Sequence, residues 1–326
     1  MNVKYHTFVT HARPDVDELF VFWMLTRLRP DLCESDIKFQ FSRPEVEAEG
    51  DILDAMSREK GFLLVGVGGG GLDEHSTLEL EARNSDCAAT LAAKEWGLEG
   101  KLELRQLLQF VLGNDRDALG SFGDVANVSR AMYRKHSDPL VAINHTLASF
   151  DALYHDGQEF AEAVNEIKRC GEKVRITSGE REIVVCVVRS DNERCNAASR
   201  WLKADILVQR QESGNMQIHT SKKSCLPSLD NVVRVLRALE LCMGDRNIDK
   251  DWLAANWQRL GRDGNHEHVE EWYYFRRGQL VLNGSSKAHK PPTKLSLEDI
   301  KWALTLGLDT ALSESAVQDM VLSRVV

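Results

Sequence analysis

The stretch YHTFVTHARPDVDELFVFWMLTRL, residues 5–28, decides how the first half of the chain is read. Its opening YHTFVTH is β-branched and aromatic, the composition of a buried strand. From Asp15 onward, DVDELFVFWMLTRL starts acidic and then carries apolar residues on most sides, which predicts a largely buried helix. The polar HARPD is therefore left at a strand-to-helix turn. Pro14 keeps that turn extended just before Asp15, so His11, Asp15 and Asp17 project from one strand tip within seven residues. Carboxylate oxygens suit Mn²⁺ or Mg²⁺, and an imidazole draws the preference toward transition metals. Helix capping alone accounts for either aspartate singly; the three residues together favour a metal.

Outward from this stretch, IKFQFS (37–42) alternates as a strand, DILDAMSREK (51–60) reads as a helix, and GFLLVGV (61–67) reads as a second buried strand ending in glycines. The rhythm is βαβαβ. Helices follow over CAATLAAKEW and LELRQLLQFVLGND, which predicts an α/β fold with a parallel sheet and ligands at the carboxyl ends of its strands. From 138 to 173 the pattern is helical and amphipathic, and it breaks at ITSGERE. A second α/β unit is expected beyond that break, from the strand EIVVCVV, the helix at NAASRWL, strands ADILVQR and NMQIHTS, the helix LDNVVRVLRALEL, the hairpin WYYFRRGQLVLNG and the helix SLEDIKWALTLGL. The expected domains are 1–140, a helical linker over 141–178, and a smaller α/β domain over 179–326.

Composition narrows the function. The 326 residues are 43% hydrophobic and 28% charged, as in ordinary globular proteins, with no apolar run of membrane-spanning length and no signal-peptide core after Met1. A cytoplasmic protein without a membrane partner is expected. Seven cysteines with no CxxC spacing read as reduced thiols. The net charge of −9 disfavours a protein that coats long nucleic acid. Residues 1–150 hold 24 acidic and 16 basic residues, against 26 and 25 in the remainder, so the acidity belongs to the half with the carboxylate-rich turn.

The pattern HxxPDxD after a strand resembles the first motif of the DHH superfamily of phosphoesterases, which includes RecJ-like nucleases, nanoRNases and family II inorganic pyrophosphatases. That resemblance covers residues 5 to about 120. It implies one or two Mn²⁺ or Mg²⁺ ions on His11, Asp15, Asp17, Glu74 and Asp115, with Asp117 the alternative to Asp115. Gly66 stands where the superfamily has a metal-bridging Asp. Asp73-Glu74-His75 stands at its Asp-His-His motif, which makes Asp73 a supporting residue and His75 the group that holds or protonates a phosphoryl oxygen, with Arg13 assisting. The implied activity is hydrolysis of a phosphodiester or phosphomonoester of a nucleotide or short single-stranded oligonucleotide held between two domains. The alternative is a catalytically impaired relative that binds a nucleotide or phosphorylated ligand as a sensor or partner module.

GVGGGG (66–71) satisfies GxGxxG, but the charged LDEHSTLELEARNS that follows does not open an apolar helix as a dinucleotide site requires. A glycine run that lets backbone approach a metal or phosphate fits better. In the second half, the acid-free stretch from Trp272 to Leu297 combines Arg276, Arg277, Lys287, Lys290 and Lys294 with Trp272, Tyr273, Tyr274 and Phe275. Arginines and an NGS turn can hold phosphates and aromatic rings can stack bases, so Arg276, Arg277, Asn283, Ser285 and Lys287 are candidate substrate contacts. A solvated hairpin explains the same residues equally well. His219 and Lys222, in SGNMQIHTSKK, resemble the strand-rich part of the superfamily's substrate domain. His266 and His268 read as loop residues.

Overall fold

The computed structural model describes residues 4–42, 50–73, 85–221, 226–243, 248–284 and 290–324. The α/β expectation holds. A three-stranded parallel sheet and a seven-stranded mixed sheet belong to two compact units, Met1–Glu159 and Phe160–Val326.

In the first unit, β1 (Tyr5–His11) is the middle strand, flanked by β2 (Cys33–Ser42) and β3 (Phe62–Leu64) in the order β2-β1-β3. Both pairings are parallel, as the crossovers through α1 (Val16–Leu28) and α2 (Gly50–Glu59) require. Helix α1 buries every residue from Val16 to Leu25, which explains why its sequence shows no polar face. Phe22 packs against the fully buried Phe8 of β1 and against Phe39 of β2, with ring centroids 5.1 and 4.3 Å away. Burial of each such side chain contributes on the order of 1.5–3 kcal/mol. Helices α3 (Ala88–Glu95), α4 (Arg105–Asp117), α5 (Val125–Lys135) and the 32-residue α6 (Pro139–Cys170) complete the unit's architecture. Trp23 Nε1 donates to Asp151 of α6 at 2.8 Å, tying α1 to the long helix. Helix α5 was not foreseen, because only Ala126, Ser129 and Tyr133 of it are buried and two of those are polar.

The second unit contains β4 (Glu172–Ser178), β5 (Arg181–Arg189), α7 (Cys195–Trp201), β6 (Ile206–Arg210), β7 (Met216–Thr220), α8 (Asp230–Met243), α9 (Lys250–Leu260), β8 (Gly264–His266), β9 (Val269–Phe275), β10 (Leu280–Leu282), α10 (Leu297–Leu308) and α11 (Glu314–Arg324). Sheet order is β4-β5-β6-β7-β10-β9-β8, with β5 and β6 parallel and every other neighbouring pair antiparallel. The expected boundary at ITSGERE falls instead on the turn of the β4–β5 hairpin, where Gly179 takes φ +60°. A glycine turn between two antiparallel strands reads locally like a linker. The division falls at Glu159/Phe160, within α6, whose last turns belong to the second unit: Phe160 meets Trp201 edge-on, and Ser190 Oγ donates to Glu166 at 2.7 Å. Among the described residues, no helix is long and apolar enough to cross a membrane.

Candidate metal centre

The turn that follows β1 is built by two side chains of α1 reaching back. Asp15 is the N-cap: its Oδ1 accepts from the backbone N–H of Asp17 at 2.9 Å and of Glu18 at 3.2 Å, while Glu18 Oε2 accepts from Asp15 N at 3.0 Å. This reciprocal box satisfies the orphan donors of the helix start. The other oxygen, Glu18 Oε1, accepts from Thr10 Oγ1 at 2.7 Å and from His11 Nδ1 at 2.6 Å. That bond from Glu18 raises the His11 pKa above its ordinary value against the opposing effect of burial.

Glu18 also explains Gly66. The glycine has φ +64°, and a Cβ there would lie 2.6 Å from Glu18 Oε1. The volume in front of residue 66, where the DHH-type pattern would put an aspartate, is therefore filled by the Glu18 carboxylate.

Asp17 points the other way. It is 2% exposed, and its two oxygens accept from the backbone N–H groups of Ala88 and Ala89 at 2.8 and 2.9 Å, capping the first turn of α3 from 71 residues away. Beside it stand the Cys87 thiol, at the N-cap of α3, and the Asp115 carboxylate from α4. One ligand atom from each of Asp17, Cys87 and Asp115 lies within 4.8 Å of the others. Two carboxylates this close in a largely dry site repel, and the helix N-terminus offsets only part of that repulsion. Burial, then Asp17, push the Cys87 thiol well above the usual cysteine range. In the metal-free chain Cys87 is accordingly a neutral thiol; a cation would be needed to draw out its proton. Two carboxylates and one sulfur form a chemically coherent three-ligand set for a single divalent ion of borderline softness, such as Zn²⁺, Co²⁺ or Fe²⁺, and a poor one for Mg²⁺.

The structure thus brings together Asp17 and Asp115 from the expected set, and adds Cys87. His11 and Asp15 lie outside that cluster, the first bonded to Glu18 and the second spent on the cap. Asp117 pairs with its neighbour Arg116 at 2.7 Å on the surface. Asp73, 6% exposed, accepts from Gly69 N at 2.8 Å and closes the glycine-rich turn, while Glu74 and His75 lie outside the described residues. Asp15 itself is exposed at a concavity, yet the surrounding protein, and next the Glu18 carboxylate, push its pKa up to about 6. Arg13 lines the same concavity.

The candidate substrate residues of the second unit are mostly occupied internally. Asn283 is fully buried: its Nδ2 donates to the Glu271 and Pro291 carbonyls, and its Oδ1 accepts from Thr293 N and from Asn215. Arg276 pairs with Asp230 at 3.0 Å and donates to the Gly261 carbonyl. His219 sits between Asn196 and Gln217, and burial, then Arg200, lower its pKa to about 4. Arg277 is exposed, Trp272 and Tyr274 are in the core, and Tyr273 and Phe275 face outward. Lys222, Ser285 and Lys287 lie outside the described residues.

No family model, no curated protein and no solved structure matches this chain.

Proposed function

We propose that this chain is a divalent-metal hydrolase acting on a phosphate ester of a nucleotide or short oligonucleotide, with its metal held by Asp17, Cys87 and Asp115 in the first unit. The convergence of these three ligand atoms within 4.8 Å, beside the turn that resembles a DHH motif, carries the reading. When bound, the cation would supply Lewis acidity toward phosphoryl oxygens and toward water. The protein's own contribution is orientation. Ala88 and Ala89 hold Asp17 from behind, and Glu18 fixes the His11 ring at the strand tip. The sulfur favours Zn²⁺, Co²⁺ or Fe²⁺ here over the Mn²⁺ or Mg²⁺ that the resemblance implies.

A second reading, a binding module without turnover, is favoured by one observation. Glu18 fills the space before Gly66 and spends its carboxylate on Thr10, His11 and the helix cap, so a second metal site has no evident bridging group among the described residues.

The test is metal content by mass spectrometry together with hydrolysis of bis-p-nitrophenyl phosphate, pyrophosphate, cyclic dinucleotides and two- to five-nucleotide RNA and DNA, with Zn²⁺, Mn²⁺ or EDTA. About one ion per chain, and turnover that Asp115→Asn lowers at least a hundredfold, are expected. Metal and nucleotide bound without turnover would favour the second reading. No metal bound by wild-type chain, with Asp115→Asn indistinguishable from it, would remove the site.

A further inference from the structure

Beside the Asp15 turn, a pocket of about 390 Å³ lies between residues 13–16 and one face of α5. That face is Ala126, Ser129, Arg130, Tyr133 and Arg134, spaced three and four apart so that the five side chains form one stripe. The short Ala126 leaves room. Tyr133 is buried in the floor and its hydroxyl donates to the Pro14 carbonyl at 2.9 Å, fixing the helix against the turn. Arg130 and Arg134 stand at the exposed rim on the helix side, and Arg13 on the turn side.

Two observations mark the pocket as built for an anion. The first is its charge. Three arginines line it against one aspartate, Asp15, whose oxygen is already engaged by two backbone N–H groups of α1. Among the described residues, none of the three arginines forms an ion pair. Arg130 is instead braced by the neutral amides of Asn127, at 3.0 Å, and Asn114, at 3.4 Å, which orient the guanidinium and leave its charge uncompensated. Asp124, the cap of α5, feels Arg130 at a distance, but its oxygens accept from Asn127 N and Ser121 N. The second is Ser129. The residue is 2% exposed, lines the pocket, and its hydroxyl has no hydrogen-bond partner among the described residues. A buried helical serine ordinarily returns its proton to a carbonyl one turn back; one that does not carries a desolvation cost unless a ligand takes the bond.

We propose that this pocket binds the phosphoryl group of a small phosphorylated ligand of nucleoside monophosphate size, with Arg13, Arg130 and Arg134 around its oxygens and Ser129 donating from the floor. Planar guanidiniums match phosphate oxygens two at a time, and the volume falls within the range of small-molecule sites. The choice of a phosphate over another anion rests on the function proposed above; the anion site itself does not.

The experiment is titration calorimetry on the full chain in EDTA, so that neither metal loading nor turnover enters the result. The probes are adenosine monophosphate, pyrophosphate and, as the uncharged control, adenosine. Adenosine monophosphate and pyrophosphate are expected to bind and adenosine not to. Arg130→Ala and Arg134→Ala should each weaken binding roughly tenfold, Ser129→Ala about threefold, and Arg134→Glu should abolish it. Arg175→Ala, a surface residue paired with Glu182 on β4, should leave it unchanged. All substituted arginines are exposed, and equal thermal midpoints check that the variants fold. Binding that survives the Arg130→Ala, Arg134→Ala double variant, or adenosine binding as tightly as its monophosphate, overturns the proposal. Phosphate binding in EDTA with no hydrolysis in any metal would leave this pocket standing and remove only the hydrolase reading.

Discussion

Polar groups are buried in both units, and they are buried in opposite ways. In the second unit, the fully buried Arg237 donates to the carbonyls of Leu260, Arg262, Gly264 and Trp272, and Glu240 accepts from Trp272 Nε1, Thr293 Oγ1 and Lys294 N. Together with Asn283 they join α8 and the neighbouring loops to the sheet edge. Apart from Arg237 Nε, these donors meet acceptors, and the polar atoms serve as architecture. In the first unit, Asp17 and Asp115, both acids, approach each other and a thiol. Two acids gathered this way repel, and the cation proposed above would offset that repulsion. Largely partnered burial ties elements together; the two converging acids supply ligand atoms for the proposed metal.

Three measurements can break or sharpen that contrast. Arg237→Ala strands four carbonyls, two of them in buried bonds, and should cost roughly 3–5 kcal/mol in urea unfolding while leaving metal content at the Asp17 cluster unchanged. Lost metal in a folded variant would mean that the two kinds of burial are not independent. Next, Gly66→Asp forces a side chain into a left-handed backbone position and against Glu18, at an expected cost of about 2–3 kcal/mol. In a Glu18→Ala background, the steric part of that cost should vanish. Equal penalties in both backgrounds would show that Glu18 does not fill the space before residue 66.

The smallest effect concerns pH. His266 is 2% exposed with its Nε2 unpartnered among the described residues, and burial, then Arg237 and His268, lower its pKa to about 4, against the weak opposing pull of Glu267; Arg259 adds to the lowering. The unfolded chain therefore binds a proton at higher pH than the folded one. Stability should be full above about pH 6.5 and fall between there and pH 4. Urea unfolding at pH 7 and pH 5 should differ by about 1–2 kcal/mol more in wild type than in His266→Gln. His219 contributes in the same direction, so the variant should flatten the profile only in part. An unchanged profile would assign the acid sensitivity elsewhere.

Most of the first unit could be read in the sequence because its signals are local. An apolar strand, a proline-stiffened turn and an acidic helix start within 24 residues predict β1 and α1, and the following elements repeat the pattern. The site was legible only where its residues shared that turn. Cys87 reads as an ordinary helix-adjacent thiol; only the fold brings it to Asp17, through hydrogen bonds that span 71 residues. Glu18 was hidden for a different reason. A glutamate three positions after an N-cap aspartate signals a capping box, and nothing in the sequence says that its second oxygen reaches Thr10, His11 and the space before Gly66. The basic and aromatic island of residues 272–297 could be read as substrate contacts or as an ordinary hairpin, and local sequence does not choose between them. A hairpin was correctly expected there, but Trp272, Tyr274 and Asn283 face inward, and strand alternation alone cannot say which face is wet.

The two amides at the start of α3 give the Asp17 cluster a resident counter-charge. A helix end carries roughly half a positive charge, and here it is aimed at the very carboxylate that a cation would also claim. The acid therefore has a holding partner when no ion is present, and the proposed ion would not have to displace these two backbone donors. The metal centre proposed above would then be stripped by chelation and refilled while the surrounding helices stay folded, so metal supply would set its occupancy without setting the lifetime of the protein.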